Sequence, residues 1–489
     1  MAGKNKCIVI GIFLIISVLA LSACGNEKET IKLSWAVYEY PIPDGMEESF
    51  NKFLKEKGLP YEVDFYAIDP SDKYMEEFMK SGTADCKAYM EGCQEAVQKG
   101  EYDIVGFPAQ VGYYDFYSIF ARKGMLEPLD SYIEAGGSLH QIYPDKFWEV
   151  LRVNGEIYGL LNHWNNYKQY FVFNEGYLKK YGMELGEAIT IEELKPLLQE
   201  VFEGENEAAG FGTGDVGRPF RFWGYEDTIC SIISVDTTGE TLVAKSNLEI
   251  PVFLERMEFW YELASYGIGA VSSNSYENGS FFVNQVYSYS KAAAVNEMYA
   301  GYGVDPEISL QAVECTEGDN PLCRWGYVTA ISVNSKHKKE SAELLGAIYS
   351  DAEFSNLLAY GVENENYRVI DGIAEPISDL FDASRRCYFG NNQITIPTAA
   401  DSVQKRRELK EILDQIPVTK QAGFEFDCSM VEDEMKNVLQ VYEKNYGLLI
   451  GEGESFEKAL EICRTEFEKA GLSRIIEEMN RQLELFQAQ

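Results

Sequence analysis

The sequence has little positive charge for its length and almost no histidine. Lysine and arginine number 43 against 79 acidic residues, so the formal net charge is −36, and only three histidines occur among 489 residues. A chain this acidic is repelled by nucleic acid and by anionic surfaces, which excludes nucleic acid as a partner. Because the histidines are scattered and no C-x-x-C pair occurs, we predict neither a metal nor a cofactor.

Cysteine pairs that could form disulfides are few. Cys86 and Cys93 would lie about 10.5 Å apart along a helix, too far to join unless the helix breaks between them. Cys315 and Cys323 flank Thr-Glu-Gly-Asp-Asn-Pro, a turn-rich segment that would bring two strands side by side. Whether these two cysteines join stays open, because connectivity cannot be deduced from sequence alone.

The sequence motifs of common hydrolases are also missing. Neither G-x-S-x-G nor H-E-x-x-H occurs. The S-x-x-K matches that begin at Ser335 and Ser455 lack the S-D-N and K-T-G companions of penicillin-binding enzymes. We therefore expect no catalysis, and a surface-anchored enzyme is kept only as an alternative.

Long apolar runs are missing after residue 21, and the run at the start is short. Lys4 and Lys6 precede it, and Leu-Ser-Ala-Cys24 follows it. With about 15 residues the run falls short of the roughly 20 that span a bilayer, so a lipoprotein signal peptide fits better than a transmembrane helix. We predict that residues 1–23 are removed, that Cys24 is lipidated, and that residues 24–30 tether the protein to the extracellular face of the cell membrane.

The remaining chain is too long for one core of ordinary size. Removal of residues 1–23 leaves 489 − 23 = 466 residues, which suits two lobes of unequal length. The pattern predicts three strands, at 31–38, 61–68 and 102–107, and the segments between them have apolar residues at helical spacing. A capping box is expected at Asp44 and Glu47. This order predicts parallel strands with helices on both faces, the α/β class. Further strands are predicted at 157–161, 170–174, 281–287, 308–313 and 328–333, and helices at 190–202, 251–266, 335–359 and within 451–489.

Several segments match, in order, those of a known protein family. They are residues 35–41, 51–58, 143–148, 153–159, 173–182, 335–342, 360–367 and 479–483. On these segments the chain resembles the extracellular solute-binding lipoproteins of ABC importers, especially the large carbohydrate-binding kind found in Gram-positive bacteria. The resemblance spans nearly the whole mature chain.

The resemblance implies an α/β, two-lobed fold like that of the type II periplasmic binding proteins. Each lobe would be a sheet flanked by helices, with a cleft between the lobes. Lobe 1 is expected at 31–110 and 306–366, and lobe 2 at 111–305 and 367–489. The chain would cross between the lobes near 108–112, 300–308 and 367–370.

The resemblance also implies a function in transport. A protein of this kind captures a sugar or oligosaccharide in the cleft and delivers it to the permease subunits of an ABC transporter, as a monomer held to the membrane by its N-terminal lipid. Two alternatives stay open from the residues alone. One is a non-sugar ligand such as a peptide, and the other is a scaffold or adhesin that binds a protein partner.

A sugar site needs aromatic platforms for ring faces, and amides or carboxylates for hydroxyl groups. Aromatic residues make up 13% of the chain, and several stand beside polar residues where strands should end. We predict stacking by Trp164, Trp223 and Trp325. The other predicted ligand contacts are Tyr38, Tyr114, Asn165, Glu226 and Asp227. Tryptophans in periodic apolar segments are instead expected in the core: Trp35, Trp148 and Trp260.

Overall fold

The computed structural model describes residues 30–38, 40–68, 86–99, 102–111, 114–162, 168–205, 225–229, 232–265, 273–316 and 326–488. Its strands are β1 (Ile31–Tyr38), β2 (Tyr61–Ile68), β3 (Ile104–Pro108), β4 (Gln110–Val111), β5 (Tyr114–Asp115), β6 (Arg152–Val153), β7 (Glu156–Ile157), β8 (Gly159–Leu161), β9 (Lys168–Asn174), β10 (Ala188–Ile189), β11 (Tyr225–Ile229), β12 (Ile233–Asp236), β13 (Val243–Ser246), β14 (Val283–Ser288), β15 (Leu310–Cys315), β16 (Tyr327–Ile331), β17 (Tyr367–Ile370) and β18 (Ile373–Pro376).

The helices follow the same chain order. They are α1 (Met46–Glu56), α2 (Cys86–Lys99), α3 (Phe116–Arg122), α4 (Asp130–Ile133), α5 (Asp145–Val150), α6 (Glu175–Tyr181), α7 (Ile191–Glu205), α8 (Pro251–Ser265), α9 (Ser273–Glu277), α10 (Lys291–Ala300), α11 (Lys338–Ser350), α12 (Ala352–Tyr360), α13 (Lys405–Gln415), α14 (Glu432–Leu449), α15 (Phe456–Ala470) and α16 (Leu472–Gln487). Short 3-10 helices lie at Asn247–Glu249, Ala383–Cys387, Asn392–Ile394 and Cys428–Met430.

The first sheet is built around β1. Its strand order is β2-β1-β3-β16-β8, with β1 parallel to β2 and β3, and β16 antiparallel to β3 and β8. The predicted parallel strands at the start of the chain are thereby confirmed. From Trp35 to Tyr38 every residue of β1 is buried, as expected for a parallel strand covered on both faces. Trp35 stacks on Phe65 with ring centroids 5.4 Å apart, which confirms its predicted place in the core.

The second sheet has the strand order β10-β15-β9-β14. Strand β9 runs antiparallel to both of its neighbours, β14 and β15. Successive side chains of a strand point to opposite faces, so Phe171 and Phe173 pack with residues of α7 and α8, while Tyr170 and Val172 pack with residues of α10. Helices therefore cover both faces of this sheet.

The chain passes between the two sheets at 162–167 and at 316–326. Strand β8 belongs to the first sheet and β9 to the second, and β15 belongs to the second sheet and β16 to the first. These positions differ from the expected crossings near 108–112 and 300–308. The difference has two causes. Gly159–Leu161, inside the range 111–305 assigned to lobe 2, pairs with β16 in the first sheet. Leu310–Cys315, inside the range 306–366 assigned to lobe 1, pairs with β9 in the second sheet. The remaining lobe bounds stay a prediction.

Two local predictions are corrected by the structure. The helix expected over 335–359 is two helices, α11 and α12, because Asp351 has an extended backbone and its carboxylate accepts the N–H of Glu353 at 2.8 Å. The capping box at Asp44 and Glu47 does not form. Gly45, with φ of 77°, precedes α1 without a side-chain cap, and the Glu47 carboxylate instead accepts the backbone N–H of Phe65 at 2.9 Å.

The C-terminal residues form the helices α14, α15 and α16. The last of these helices packs on the small sheet β11-β12-β13. Its buried face consists of Leu472, Ile475, Met479 and Leu483, which confirms the helical packing predicted within 451–489. Gly471 separates α15 from α16 with φ of 100°, a left-handed conformation that a glycine adopts at little cost.

Some predictions fall outside the described residues. The signal peptide, Cys24 and most of the tether lie in residues 1–29, and Cys323 lies in 317–325, so those predictions and the possible Cys315–Cys323 disulfide stay open. Within the ranges that the structure describes, every helix is too short or too polar to span a membrane.

Candidate functional site

One edge of the first sheet collects the strand ends that lead toward the second sheet. Strands β1 and β3 are parallel and end there, and β16 begins there because Tyr327 pairs with Pro108. Strand β8 ends at the same edge, since Leu161 pairs with Val328. We call this the first edge. Ligands of open α/β sheets bind beyond the carboxyl ends of the strands, so the first edge is the candidate site.

The second sheet presents a matching edge. Strand β9 begins at Lys168, opposite Ser288 at the end of β14, and Glu314 near the end of β15 pairs with Tyr170. We call this the second edge. Fully extended, the connection from Leu161 to Lys168 spans at most about 25 Å. The two edges are therefore held within reach of one ligand of oligosaccharide size.

Three tyrosine rings lie together at the first edge. The ring centroids of Tyr40 and Tyr388 are 4.4 Å apart, and those of Tyr388 and Tyr327 are 5.1 Å apart. Tyr40 and Tyr388 are partly exposed, whereas Tyr327 is buried. We call Tyr40 and Tyr388 the aromatic platform. A platform of this kind offers ring surface to an apolar ligand face.

A carboxylate stands beside this platform. The Tyr40 hydroxyl donates a hydrogen bond to Asp382 Oδ2 at 2.7 Å, and burial together with this bond raises the pKa of Tyr40 to about 12. Burial acts to raise the pKa of Asp382, but hydrogen bonds from Ser384 and Tyr40 outweigh it and hold that pKa below its ordinary value. Asp382 is therefore ionised at neutral pH and accepts hydrogen bonds.

Tyr38, a predicted ligand contact, lies in the core and not at the surface. Its side chain is 2% exposed. Its backbone N–H donates to the Tyr327 hydroxyl oxygen at 2.8 Å, and its carbonyl accepts from that hydroxyl at 2.7 Å. Tyr38 is buried because β1 lies between two strands and is covered on both faces. Tyr40, two residues later and beyond the strand, has the partly exposed ring.

The other predicted contacts fall on residues whose side chains lie outside the described part of the chain. By position, Trp164 and Asn165 belong to the connection 162–167, and Trp325 belongs to the connection 316–326. Trp223 precedes β11. The backbones of the remaining three are described: Tyr114 in β5, and Glu226 and Asp227 in β11. These seven residues stay predicted contacts.

The second edge is polar. Lys168 Nζ lies 2.8 Å from Glu314 Oε1. The Tyr287 hydroxyl accepts hydrogen bonds from Gln169 Nε2 at 2.6 Å and from Gln285 Nε2 at 2.9 Å. Amide, hydroxyl and carboxylate groups thus line the start of β9, where a ligand held at the first edge would meet the second sheet.

Asn162 fixes the start of the first connection. Its side chain is fully buried, and its amide oxygen accepts hydrogen bonds from the Thr329 hydroxyl at 3.0 Å and from the Tyr349 hydroxyl. Its amide nitrogen donates to the carbonyl of Tyr388. The sequence offered no sign of this role, because an asparagine beside a strand is ordinarily exposed. The connection and the platform are therefore joined by one side chain.

The described residues offer no group of side chains suited to a metal ion. Across the ranges that the structure describes, no three His, Cys, Asp or Glu side chains are arranged to hold a metal ion. The Asp382 carboxylate at the first edge is instead paired with a tyrosine hydroxyl, and the Glu314 carboxylate at the second edge is paired with a lysine.

Comparisons with solved structures match the whole architecture. A crystal structure of the N-glycan transport solute-binding protein NgtS from Streptococcus pneumoniae gives a TM-score of 0.67 at 20% identity, covering 94% of this chain and 99% of that chain. Its complex with Man5GlcNAc gives 0.58 at 19% identity, covering 94% and 98%. The alginate-binding protein AlgQ2 gives 0.55 at 13% identity, covering 94% and 98%. The chain therefore has the two-lobed fold of solute-binding proteins, which confirms the fold predicted from the sequence.

Sequence comparisons point to the same class. A relative from Streptococcus pneumoniae serotype 4 (strain ATCC BAA-334 / TIGR4), named "Carbohydrate ABC transporter substrate-binding protein", is 23% identical over 497 residues and covers 95% of both chains. The family described as "Domain of unknown function (DUF3502)" matches residues 420–488. The resemblance to solute-binding proteins of ABC importers, drawn from the sequence, is confirmed.

Proposed function

We propose that this protein is the ligand-capturing component of an ABC importer and that its ligand is a sugar, above all an oligosaccharide. The aromatic platform with Asp382, at the edge from which both connections reach the second sheet, carries this assignment. Aromatic rings stack on the apolar faces of sugars, and a carboxylate accepts hydrogen bonds from neighbouring hydroxyls. Two comparisons favour a sugar over a peptide. The relative is named as a carbohydrate ABC transporter substrate-binding protein, and NgtS has been crystallised with a glycan.

The other predicted contacts, in the two connections and in and beside β5 and β11, complete the proposed site. Trp164, Trp223 and Trp325 act as further stacking platforms, and polar contacts come from Tyr114, Asn165, Glu226 and Asp227. Tyr38 supports the site from the core through its two hydrogen bonds with Tyr327. A ligand held this way touches both sheets, so binding draws the lobes together by hinge closure.

The proposed place of action is the outer surface of the cell. Residues 1–23 are removed, Cys24 carries the lipid, and the monomer presents its ligand to the permease subunits. The excess of acidic residues keeps the protein soluble and apart from anionic surfaces. No chemistry on the ligand belongs to this function.

A thermal shift panel tests the proposal. The protein is melted alone and with mono-, di- and oligosaccharides, including Man5GlcNAc, and with peptides of matched size. A ligand at about 100 times its Kd adds about 2.7 kcal/mol to the free energy of unfolding, which raises the melting temperature by several degrees. We expect at least one oligosaccharide to do so and the peptides not to.

The panel separates the alternatives. A shift produced by peptides alone would replace the sugar with a peptide ligand. No shift with any sugar or peptide would contradict a function in solute capture and favour a scaffold that binds a protein partner. Neutral sugars and uronic-acid sugars are placed in separate wells, so that the charge of the preferred ligand is read from the same plate.

A further inference from the structure

Residues 382–405 run across both lobes, and we call them the brace. Their middle part is hydrogen bonded to helices of the first lobe. The N–H of Asn391 donates to the Ser355 hydroxyl at 3.1 Å, and its amide donates to the carbonyl of Tyr349 at 3.1 Å. The N–H of Ile396 donates to Asn356 Oδ1 at 2.8 Å. Helices α11 and α12, which carry these partners, contact β16 and α1.

The last part of the brace is hydrogen bonded to the second lobe. The Tyr289 hydroxyl donates to Asp401 Oδ1 at 3.3 Å and accepts the N–H of Ser402 at 2.9 Å. The Asn296 amide donates to the carbonyl of Asp401 at 2.6 Å. Tyr289 directly follows β14, and Asn296 lies in α10, which packs on β9, β14 and β15. Asp401 is therefore the point at which the brace meets the second sheet.

A buried cluster of charges holds the two parts of the brace together. The Asp401 carboxylate is paired with the Arg386 guanidinium and accepts the N–H and the hydroxyl of Thr398, each at 2.9 Å. Lys405 Nζ lies 3.8 Å from Asp401 Oδ2 and donates to the Thr395 hydroxyl at 3.0 Å. The Asp401 and Lys405 side chains are 6% and 2% exposed. Breaking a buried charge pair is strongly unfavourable, so these contacts hold the two parts of the brace in one fixed arrangement.

The same brace carries half of the aromatic platform. Asp382 accepts the hydroxyl of Tyr40 and caps the 3-10 helix Ala383–Cys387 through the N–H of Ser384 at 2.9 Å. Arg386 lies in that helix, and Tyr388 follows it directly. A continuous set of contacts thus leads from the ring of Tyr40 through Arg386 and Asp401 to Tyr289 in the second lobe.

We propose that Asp401 is a positioning residue for ligand capture: through Arg386 and Tyr289 it fixes the aromatic platform relative to the second lobe. This inference deepens the proposed function and rests on it. With the Tyr289 contact in place, the ligand-free protein has a restricted set of lobe orientations. Binding then requires less ordering of the lobes, which raises affinity.

Tyr289→Phe is the principal test variant, because it removes the hydroxyl that joins the second lobe to Asp401 and leaves the buried charges in place. Tyr299→Phe is the matched control. Its hydroxyl donates to the carbonyl of Ile308 at 2.7 Å, a contact between α10 and the segment that leads into β15, without any residue of the brace. Both variants lose one tyrosine hydroxyl from the same region of the chain.

Two measurements are made on the wild type and both variants. The first is small-angle X-ray scattering without ligand, where we expect Tyr289→Phe to have a larger radius of gyration than the wild type and Tyr299→Phe to match the wild type. The second is calorimetric titration with the sugar that gives the largest thermal shift. Tyr289→Phe should bind it about three- to tenfold more weakly, the loss typical of one hydrogen bond, and Tyr299→Phe should bind it as the wild type does.

The outcomes separate this inference from the proposed function. Unchanged scattering for Tyr289→Phe, or an equal loss of affinity in both variants, overturns the positioning role. Absence of sugar binding by the wild type overturns the proposed function, while the scattering result still decides whether Asp401 restrains the lobes. Asp401→Asn is measured in parallel and should show the same changes as Tyr289→Phe, larger in size. If it does not fold, Tyr289→Phe decides alone.

Discussion

Asn480 of α16 pairs with Ala244 of β13 through both atoms of its side-chain amide. The amide oxygen accepts the N–H of Ala244 at 2.8 Å, and the amide nitrogen donates to its carbonyl at 3.1 Å. Gln487 makes the same pair of contacts with Leu242, at 2.7 and 3.3 Å. In the described sheet β13 is an outer strand, so these amides take the place of a neighbouring strand and protect its edge.

Replacing Asn480 with alanine should destabilise the docking of the C-terminal helix. The change removes two hydrogen bonds and leaves the backbone of Ala244, a residue 2% exposed, without these partners. We expect the free energy of unfolding to fall by about 1–3 kcal/mol. Glu477→Ala, at an exposed position of the same helix, is the control and should stay within about 0.5 kcal/mol of the wild type in denaturant titration. Equal stability of the two variants would contradict the role given to Asn480.

Truncation of Tyr40 should weaken sugar binding. Tyr40→Ala removes one ring of the platform and the hydrogen bond to Asp382, so we expect an affinity at least about tenfold lower. Tyr40→Phe keeps the ring and should lose about two- to fivefold. The control is Tyr66→Ala, because Tyr66 is 42% exposed on β2 and its ring lies against Tyr102, which precedes β3 at the end opposite the first edge. Titration calorimetry measures all three, and a Tyr40→Ala variant that binds as the wild type does would remove the platform from the site.

The three predicted tryptophan platforms give a separate test of the proposed site. Trp164→Ala, Trp223→Ala and Trp325→Ala should each lower affinity by about ten- to a hundredfold if the side chain stacks on a sugar ring. Trp148→Phe is the comparison, since Trp148 packs in the same hydrophobic core as the first sheet and is 5% exposed. It should lower the melting temperature and leave affinity unchanged. Full affinity in both the Trp164 and the Trp223 variant would exclude those two residues from the site.

Glu297 should make stability depend on pH. Burial raises its pKa to about 7, while the charge of Arg386 acts to lower that pKa and the charge of Asp401 to raise it further. The folded state therefore holds this proton more tightly than the unfolded state, so the free energy of unfolding falls as pH rises from about 4.5 to about 7.

Glu297→Gln removes this dependence. At pH 8 the variant should be more stable than the wild type by about 1–2 kcal/mol, and near pH 4 the two should be equal. Glu307→Gln, at an exposed position shortly before β15, is the control and should follow the wild type at both values. A Glu297→Gln variant with the same pH profile as the wild type would show that the glutamate does not titrate in this range.

Much of the first sheet could be predicted because local patterns and topology agree there. Residues 31–38 and 61–68 have the residue pattern of strands with a helix between them, an order that favours parallel pairing. The position of Tyr38 could not be predicted in the same way. In a parallel strand covered on both faces the alternation of apolar and polar residues disappears, so the sequence contains no sign that separates the core ring of Tyr38 from the edge ring of Tyr40.

Contacts between segments far apart in the chain could not be predicted, for a different reason. The assignment of Gly159–Leu161 to the first sheet depends on pairing with β16, far along the chain, and a strand this short has no periodicity of its own. The brace is a similar case. Nothing in the sequence indicates that Asp401, Arg386 and Lys405 pair with one another, and only the fold shows the Asp401 carboxylate between Arg386, Lys405 and Tyr289.

The most direct test of the central claim is a crystal structure of the protein with the oligosaccharide that gives the largest thermal shift. We expect the sugar between the two edges, with a ring against Tyr40 or Tyr388, a hydroxyl within hydrogen-bonding distance of Asp382, and further contacts from the second sheet. A sugar bound on an outer face, or one that touches a single lobe, would contradict capture between the lobes.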